Sequence, residues 1–163
     1  MKDKFNILAE CNFTCQYCGS KPGSDKLHVD HLIPFSKGGS DEVENLTVAC
    51  QACNCKKKAN IVFPPSMVLG IDHDGWKIVK RFGVWEIKIS NDFVFLCGQI
   101  PNHGGGSYEY PIDIDRVFDS DWEHHISNKN WDKPHKLSDF IDAIAYCRKI
   151  IIPVDEREGR LRV

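Results

Sequence analysis

Neither a long apolar run nor an excess of basic charge is present in this 163-residue sequence. No stretch of about 18 apolar residues occurs, so no transmembrane helix is expected. The opening Met1-Lys2-Asp3-Lys4 has no apolar core of signal-peptide length; export is not expected and a cytoplasmic location is. A net charge of −2, from 21 Lys and Arg against 23 Asp and Glu, gives no whole-molecule attraction to nucleic acid, though it leaves room for a local one. Tryptophan is missing from the first 70 residues, only Cys97 and Cys147 follow position 60, and no internal repeat is found. With 42% hydrophobic and 27% charged residues the composition is that of a folded globular chain, neither disordered nor membrane-spanning.

What is present is cysteine, and it is placed unevenly. Six of the eight (Cys11, Cys15, Cys18, Cys50, Cys53 and Cys55) fall in the first 60 residues. In a cytosolic chain these read as metal ligands and free thiols in preference to disulfides. Residues 1–60 carry eight Lys and Arg against seven Asp and Glu, and residues 61–163 thirteen against sixteen. Pro64-Pro65 would stiffen a short connector between the two parts. The expected organisation is a metal-held module over residues 1–60 and an accessory segment over residues 61–163, together of α+β class.

The second part reads as strands and then a helix. Asp74-Gly75 between two apolar runs is a two-residue hairpin signal. Trp85, Ile87 and Ile89 alternate with Glu86 and Lys88, as in a half-buried strand, and Phe93–Cys97 is short and apolar enough for a buried one. From Leu137 the period becomes helical through Phe140, Ile141, Ile144, Cys147 and Ile151, with Ser138 placed to cap and Pro153 to stop the run. The tail, residues 155–163, is mostly charged and reads as solvated.

Cys15-Gln16-Tyr17-Cys18 and Cys50-Gln51-Ala52-Cys53 are two C-x-x-C pairs, 31 residues apart. Each can grip one Zn²⁺ from a tight turn, and together they complete a closed tetrahedral site of structural character. Such a site replaces the core that about 60 residues can hardly build alone. Cys11 adds a C-x-x-x-C-x-x-C reading, which is similar to the iron–sulfur signature of radical S-adenosylmethionine enzymes. The chain after Cys18 is too short for their barrel and lacks its βα alternation, so Cys11 is taken as a small buried residue.

Between the pairs lie Val29-Asp30-His31-x-x-Pro34, Ser36-x-Gly38-Gly39 and Asn45-Leu46, and the second pair continues as Cys53-Asn54-x-x-Lys57. In residue type and spacing, Cys15–Lys58 resembles the HNH endonucleases, the ββα-metal nucleases, in their four-cysteine zinc form. The resemblance implies a small zinc-stabilised ββα-metal module followed here by the antiparallel strand segment and its helix. It implies DNA as substrate, His31 as general base, Asp30 and Asn54 as ligands of a catalytic Mg²⁺ or Mn²⁺, and Asn45 as the residue that steadies the loop. Asn54 stands where many members carry a second His. An amide oxygen hardens the site and favours Mg²⁺ or Mn²⁺ over Ni²⁺ or Zn²⁺.

Phosphodiester hydrolysis needs a deprotonated water, a cation near the developing charge and help for the leaving oxygen, which is the chemistry a neutral His and hard oxygen ligands supply. A helix from about Cys50 to Ala59 would hold zinc on one face and set Asn54, Lys57 and Lys58 on another, as a metal ligand and phosphate contacts. Lysines at a helix end also suit the dipole there without any ligand. Asp30 and His31 would face opposite sides of a regular strand, so an irregular one is expected. His28 lies on Asp30's side and reads as a supporting or phosphate-contacting residue, or as a plain partly exposed His.

Other signals carry less. His124, His125 and His135 match no ligand spacing, and Gly104-Gly105-Gly106-Ser107 lacks the Lys and context of a P-loop. The acids Glu109, Asp113, Asp115, Asp119, Asp121 and Glu123 mimic DNA charge or are simply solvated. The expected function is metal-dependent DNA cleavage, the alternative a non-catalytic zinc module that binds nucleic acid or protein. A homodimer, or a protein partner through residues 61–163, stays open, and no membrane partner is expected.

Overall fold

The computed structural model describes residues 3–23, 26–101, 107–113 and 137–152. The expectations for His124, His125, His135, the Gly104–Gly106 loop, the acids Asp115, Asp119, Asp121 and Glu123, and residues 155–163 lie outside them. The chain divides into two compact units, Met1–Met67 with Lys149–Val163, and Val68–Arg148.

The first unit opens with helix α1 (Lys4–Glu10), capped by the Asp3 carboxylate, which accepts from the Phe5 N–H at 3.4 Å. Strands β1 (Leu27–His31) and β2 (Leu46–Cys50) pair antiparallel, with Leu27 opposite Cys50 and His31 opposite Leu46. Helix α2 (Gln51–Lys57) follows β2 without a linker, and Cys50 is its N-cap. Ile7, Leu32, Ile33, Val48, Ala49, Ile61 and Phe63 form the buried apolar set. This is a ββα arrangement, with the helix shorter at each end than the sequence suggests.

The fourteen residues between β1 and β2 include two 3-10 turns, Phe35–Lys37 and Val43–Asn45. The loop is held by chain far away in sequence. Ser40 N–H donates to the Ile150 carbonyl at 3.1 Å, Ile152 N–H to the Gly38 carbonyl at 2.8 Å, and the Ser40 hydroxyl to the Lys149 carbonyl. Gly39 bridges Ile151, and Lys149 Nζ reaches Glu44 Oε1 at 2.7 Å. Gly39 has no room for a side chain, since a Cβ there would stand 1.8 Å from the Ile33 carbonyl oxygen.

The second unit is an antiparallel meander in the order β3 (Gly70–Ile71), β4 (Lys77–Phe82), β5 (Trp85–Ile89), β6 (Val94–Pro101) and β7 (Ser107–Asp113). Pro111, which cannot donate to a ladder, sits on the edge strand β7. Helix α3 (Leu137–Ile150) packs Phe140 against Trp85, ring centroids 4.6 Å apart, while Trp85 lies over Gly98, where a Cβ would stand 2.3 Å from the indole.

Three local expectations are corrected. The β3–β4 connection is not a two-residue turn at Asp74-Gly75. It spans Asp72–Trp76, because the Asp72 carboxylate accepts the N–H of Asp74 at 3.0 Å and of Trp76 at 2.8 Å. Ser138 lies inside α3, and the helix buries Phe140, Ala143, Cys147 and Ile150 while Ile141 faces solvent. Strand β5 is not half-buried, since Lys88 is 3% exposed, its ammonium 3.0 Å from Asp72 Oδ2 and 3.6 Å from Glu86 Oε2.

Burial pushes the Asp72 carboxyl up, but the bonds from Lys88 and from the backbone N–H groups outweigh it and hold the acid below its usual range. A depressed folded value means the contribution is complete above the unfolded value of about 3.9 and is lost as pH falls through the folded one. Asp72→Ala is expected to cost the second unit about 3 kcal/mol in denaturant unfolding at pH 7, and Lys88→Met, which leaves the Asp72 carboxylate buried without its cation, is expected to be destabilising as well. The acid-side loss of stability below pH of about 4 should be smaller in Asp72→Asn than in the wild type.

Candidate active site and metal centre

The first C-x-x-C pair sits on a tight knuckle after α1. Gly19 N–H donates to the Cys15 carbonyl and Cys15 N–H to the Ser20 carbonyl, both at 2.8 Å, and Gly19 at φ +79° supplies the left-handed turn. Gln16 N–H donates to the Val48 carbonyl at 2.8 Å and ties the knuckle to β2. The second pair lies at the junction of β2 and α2, where the Cys53 N–H donates to Cys50 Sγ at 3.4 Å.

All four sulfurs lie within 4.8 Å of one another, with Cys18 and Cys50 Sγ 3.7 Å apart. A disulfide requires about 2.05 Å. Four thiolates at about 2.3 Å from a tetrahedral ion stand roughly 3.8 Å apart, so the donor set and its spacing fit Zn²⁺. The Ser20 hydroxyl, and then its backbone N–H, lower the Cys18 thiol to about 6. Burial, then the neighbouring thiols, raise Cys53 to about 12. A bound ion would remove the protons from both. Cys11 stays outside the cluster.

The other expected site residues gather at the end of β1. Asp30 and His31 keep regular register, opposite Thr47 and Leu46, so the irregular strand expected from the sequence is absent through His31. Their side chains follow the alternation and meet different partners. Asp30 Oδ2 accepts from the Tyr17 hydroxyl at 3.1 Å and is 3.3 Å from Lys57 Nζ. His31 Nε2 is 2.8 Å from Asp41 Oδ1. Among the described residues, no hydrogen bond joins the side chains of Asp30, His31 and Asn54.

What joins Asp30 to His31 is Lys57, whose ammonium also donates to the His31 carbonyl. The Lys57 side chain is 4% exposed and that of Asp30 10%. Burial lowers the Lys57 ammonium and Asp30 opposes that shift. Lys57, expected to face a phosphate, lies here against β1 at the last turn of α2, buried and paired with Asp30. Asn54, three residues earlier, shares that helix face. Lys58 is exposed just past the helix, at the left-handed φ of +53°. His28 presents no nitrogen outward at Nε2, which is buried and finds no hydrogen-bond partner among the described residues.

Asn45 is fully buried, and its amide spans the loop. Oδ1 accepts from Ile33 N–H at 2.9 Å, and Nδ2 donates to the carbonyls of Ile33 at 3.0 Å and Ser40 at 2.8 Å. Tyr17 and Asp41 went unread in the sequence. Tyr17 lies inside a C-x-x-C pair and looks like a spacer, and Asp41 is one acid among three in a short polar loop.

Residues 15–60, within the first unit, match the family model described as HNH endonuclease. A CRISPR-associated endonuclease Cas9 of Actinomyces naeslundii is 32% identical over 80 residues, 47% of this chain and 7% of that protein. Anaredoxin of a Nostoc species is 33% identical over 45 residues, 28% of this chain and 57% of that protein. The chain thus spans less than two thirds of either relative. No solved structure matches.

The purified chain is expected to hold about one Zn²⁺ when its metal is measured by mass spectrometry. Cys50→Ser should lower that content severalfold and destabilise the first unit, because metal affinity in such modules is folding free energy. Full metal content in that variant would place the ion elsewhere.

Proposed function

We propose that the first unit is a metal-dependent endonuclease that hydrolyses DNA phosphodiester bonds, with His31 as general base. The observation that carries this reading is the tie at the end of β1. One buried lysine links the Asp30 carboxylate to the backbone of His31, beside a helix whose same face carries Asn54. The motif's acid and base are thereby fixed to one another and to α2.

The donor set fits a hard cation. Asp30 offers a carboxylate with acceptor capacity beyond its two present partners, and Asn54 offers an amide oxygen. A Mg²⁺ or Mn²⁺ ion held there would neutralise charge developing on the phosphate and the leaving oxygen. His31 takes a proton from water as the water oxygen bonds to phosphorus and the bond to the leaving oxygen breaks. Lys58, exposed just past α2, and Lys56, exposed in its last turn, are the lysines there left to meet a phosphate. Lys57 acts by holding Asp30, and His28 is set aside because its Nε2 is buried. One such site cuts one strand, and a double-strand break then takes a dimer or two successive nicks.

A non-catalytic zinc module is favoured by one feature, the low exposure of Asp30 and its existing pairing with Lys57 and Tyr17. It predicts nucleic-acid binding without turnover.

Plasmid nicking separates the two. The wild-type chain should nick in Mg²⁺ or Mn²⁺ and fail in Ni²⁺ alone. His31→Ala should lower the rate about 10²–10⁴-fold with zinc content unchanged. Binding with no nicking in any of these ions would favour the zinc module.

A further inference from the structure

Asp41 is the acid that the nuclease motif leaves unexplained, and its carboxylate is the hydrogen-bond partner of His31. Oδ1 stands 2.8 Å from His31 Nε2, a distance typical of a charge-assisted bond. Both side chains reach solvent, His31 at 33% and Asp41 at 54%. An exposed pair of this kind is usually worth little, because two mobile side chains must be held still.

Here the backbone beneath Asp41 is already held. Ser40, on one side, is 4% exposed. Its N–H, hydroxyl and carbonyl are engaged by Ile150, Lys149 and the Asn45 amide. Glu42, on the other side, has its N–H on the Ser40 hydroxyl at 3.3 Å. Gly39 is pinned between Ile33 and Ile151. Asp41 therefore projects from two anchored neighbours, and its short side chain loses little freedom on meeting the imidazole.

We propose that Asp41 is a positioning residue for His31. It accepts the Nε2 proton, so the neutral imidazole carries its hydrogen on Nε2 and presents Nδ1 as the base. This rests on the assignment of His31 as general base. A carboxylate can only accept from a neutral ring, so it selects one of two tautomers, and it fixes the ring plane at the same time. As Nδ1 takes the proton from the attacking water, the ring becomes a cation bonded to an anion, with no group left to reorient. The sequence hides this role, because the two residues are ten positions apart on different elements.

The test uses the full chain with its zinc, as wild type, His31→Ala, Asp41→Ala and Asp41→Glu. Nitrogen-15 spectra of the imidazoles, with the His31 signals identified by their loss in His31→Ala, report the tautomer without any turnover. The neutral form of His31 should be protonated at Nε2 in the wild type, and in Asp41→Ala it should be a mixture of both tautomers. In plasmid nicking, Asp41→Ala should lose about ten- to a hundredfold in kcat, within the share a general base supplies, with KM changed less than about threefold. Asp41→Glu should recover part of the rate and the Nε2 proton. A wild-type tautomer and rate in Asp41→Ala, with His31→Ala inactive, overturns the role of Asp41 and leaves the base intact. A His31→Ala variant as active as the wild type overturns the base itself, and the spectra still decide whether Asp41 sets the ring.

Discussion

The side-chain amide of Asn45 is the joint on which the first unit turns. A buried primary amide has two donors and one acceptor oxygen to satisfy, and leaving any of them unpaired costs about 1–3 kcal/mol. Asn45 meets that demand with the N–H and carbonyl of Ile33 and the carbonyl of Ser40. Those two residues lie just past β1 and midway through the loop, so a single side chain fixes where the chain leaves one strand and how it returns to the next. His31 precedes the joint and Asp41 follows it. A shorter side chain here would free both ends together. Asn45→Asp would set a carboxylate against two carbonyl oxygens.

The sulfur cluster and the Asn45 joint divide the work. The cysteines fasten the knuckle after α1 to the junction of β2 and α2 from outside, while Asn45 organises the loop from within. Lys57 adds a third tie across the base of the module. Its burial has an electrostatic consequence for the proposed reaction. A lysine that neutralises Asp30 is one fewer cation available to a phosphate, in a chain that is acidic overall. Binding of DNA would then lean on Lys56, Lys58 and the catalytic ion, and should be sensitive to salt.

The cysteine pairs and the ββα order were legible in the sequence because each is a local pattern with a fixed spacing. Asn45 was legible through its position in a motif. The environment of the charged residues was not. Lys57 read as a phosphate contact and Lys88 as the polar side of a half-buried strand, since periodicity marks which face a residue lies on and not what acid waits there. Each is buried because one carboxylate, Asp30 or Asp72, lies within about a hydrogen bond's reach. Asp41 was passed over for the same reason. The two-residue turn at Asp74-Gly75 failed because Asp72 offers its side chain to two backbone N–H groups and so sets a longer loop.

The clasp between the loop and residues 149–152 carries a consequence for biosynthesis. The Ser40 hydroxyl and its acceptor are 109 residues apart in sequence. At ordinary translation rates of about 5–20 residues per second, the loop emerges several seconds or more before its clasp. In that interval a nascent chain has every cysteine of the cluster and every residue of the motif. What it lacks is the segment that anchors Ser40 and, through it, Asp41. The knot of sulfurs can close early, while Ser40 and the Asp41 beside it stay unanchored until Lys149 to Ile152 arrive. A ribosome-bound or prematurely terminated chain would thus hold the cysteines and the motif without the contact that fixes Ser40.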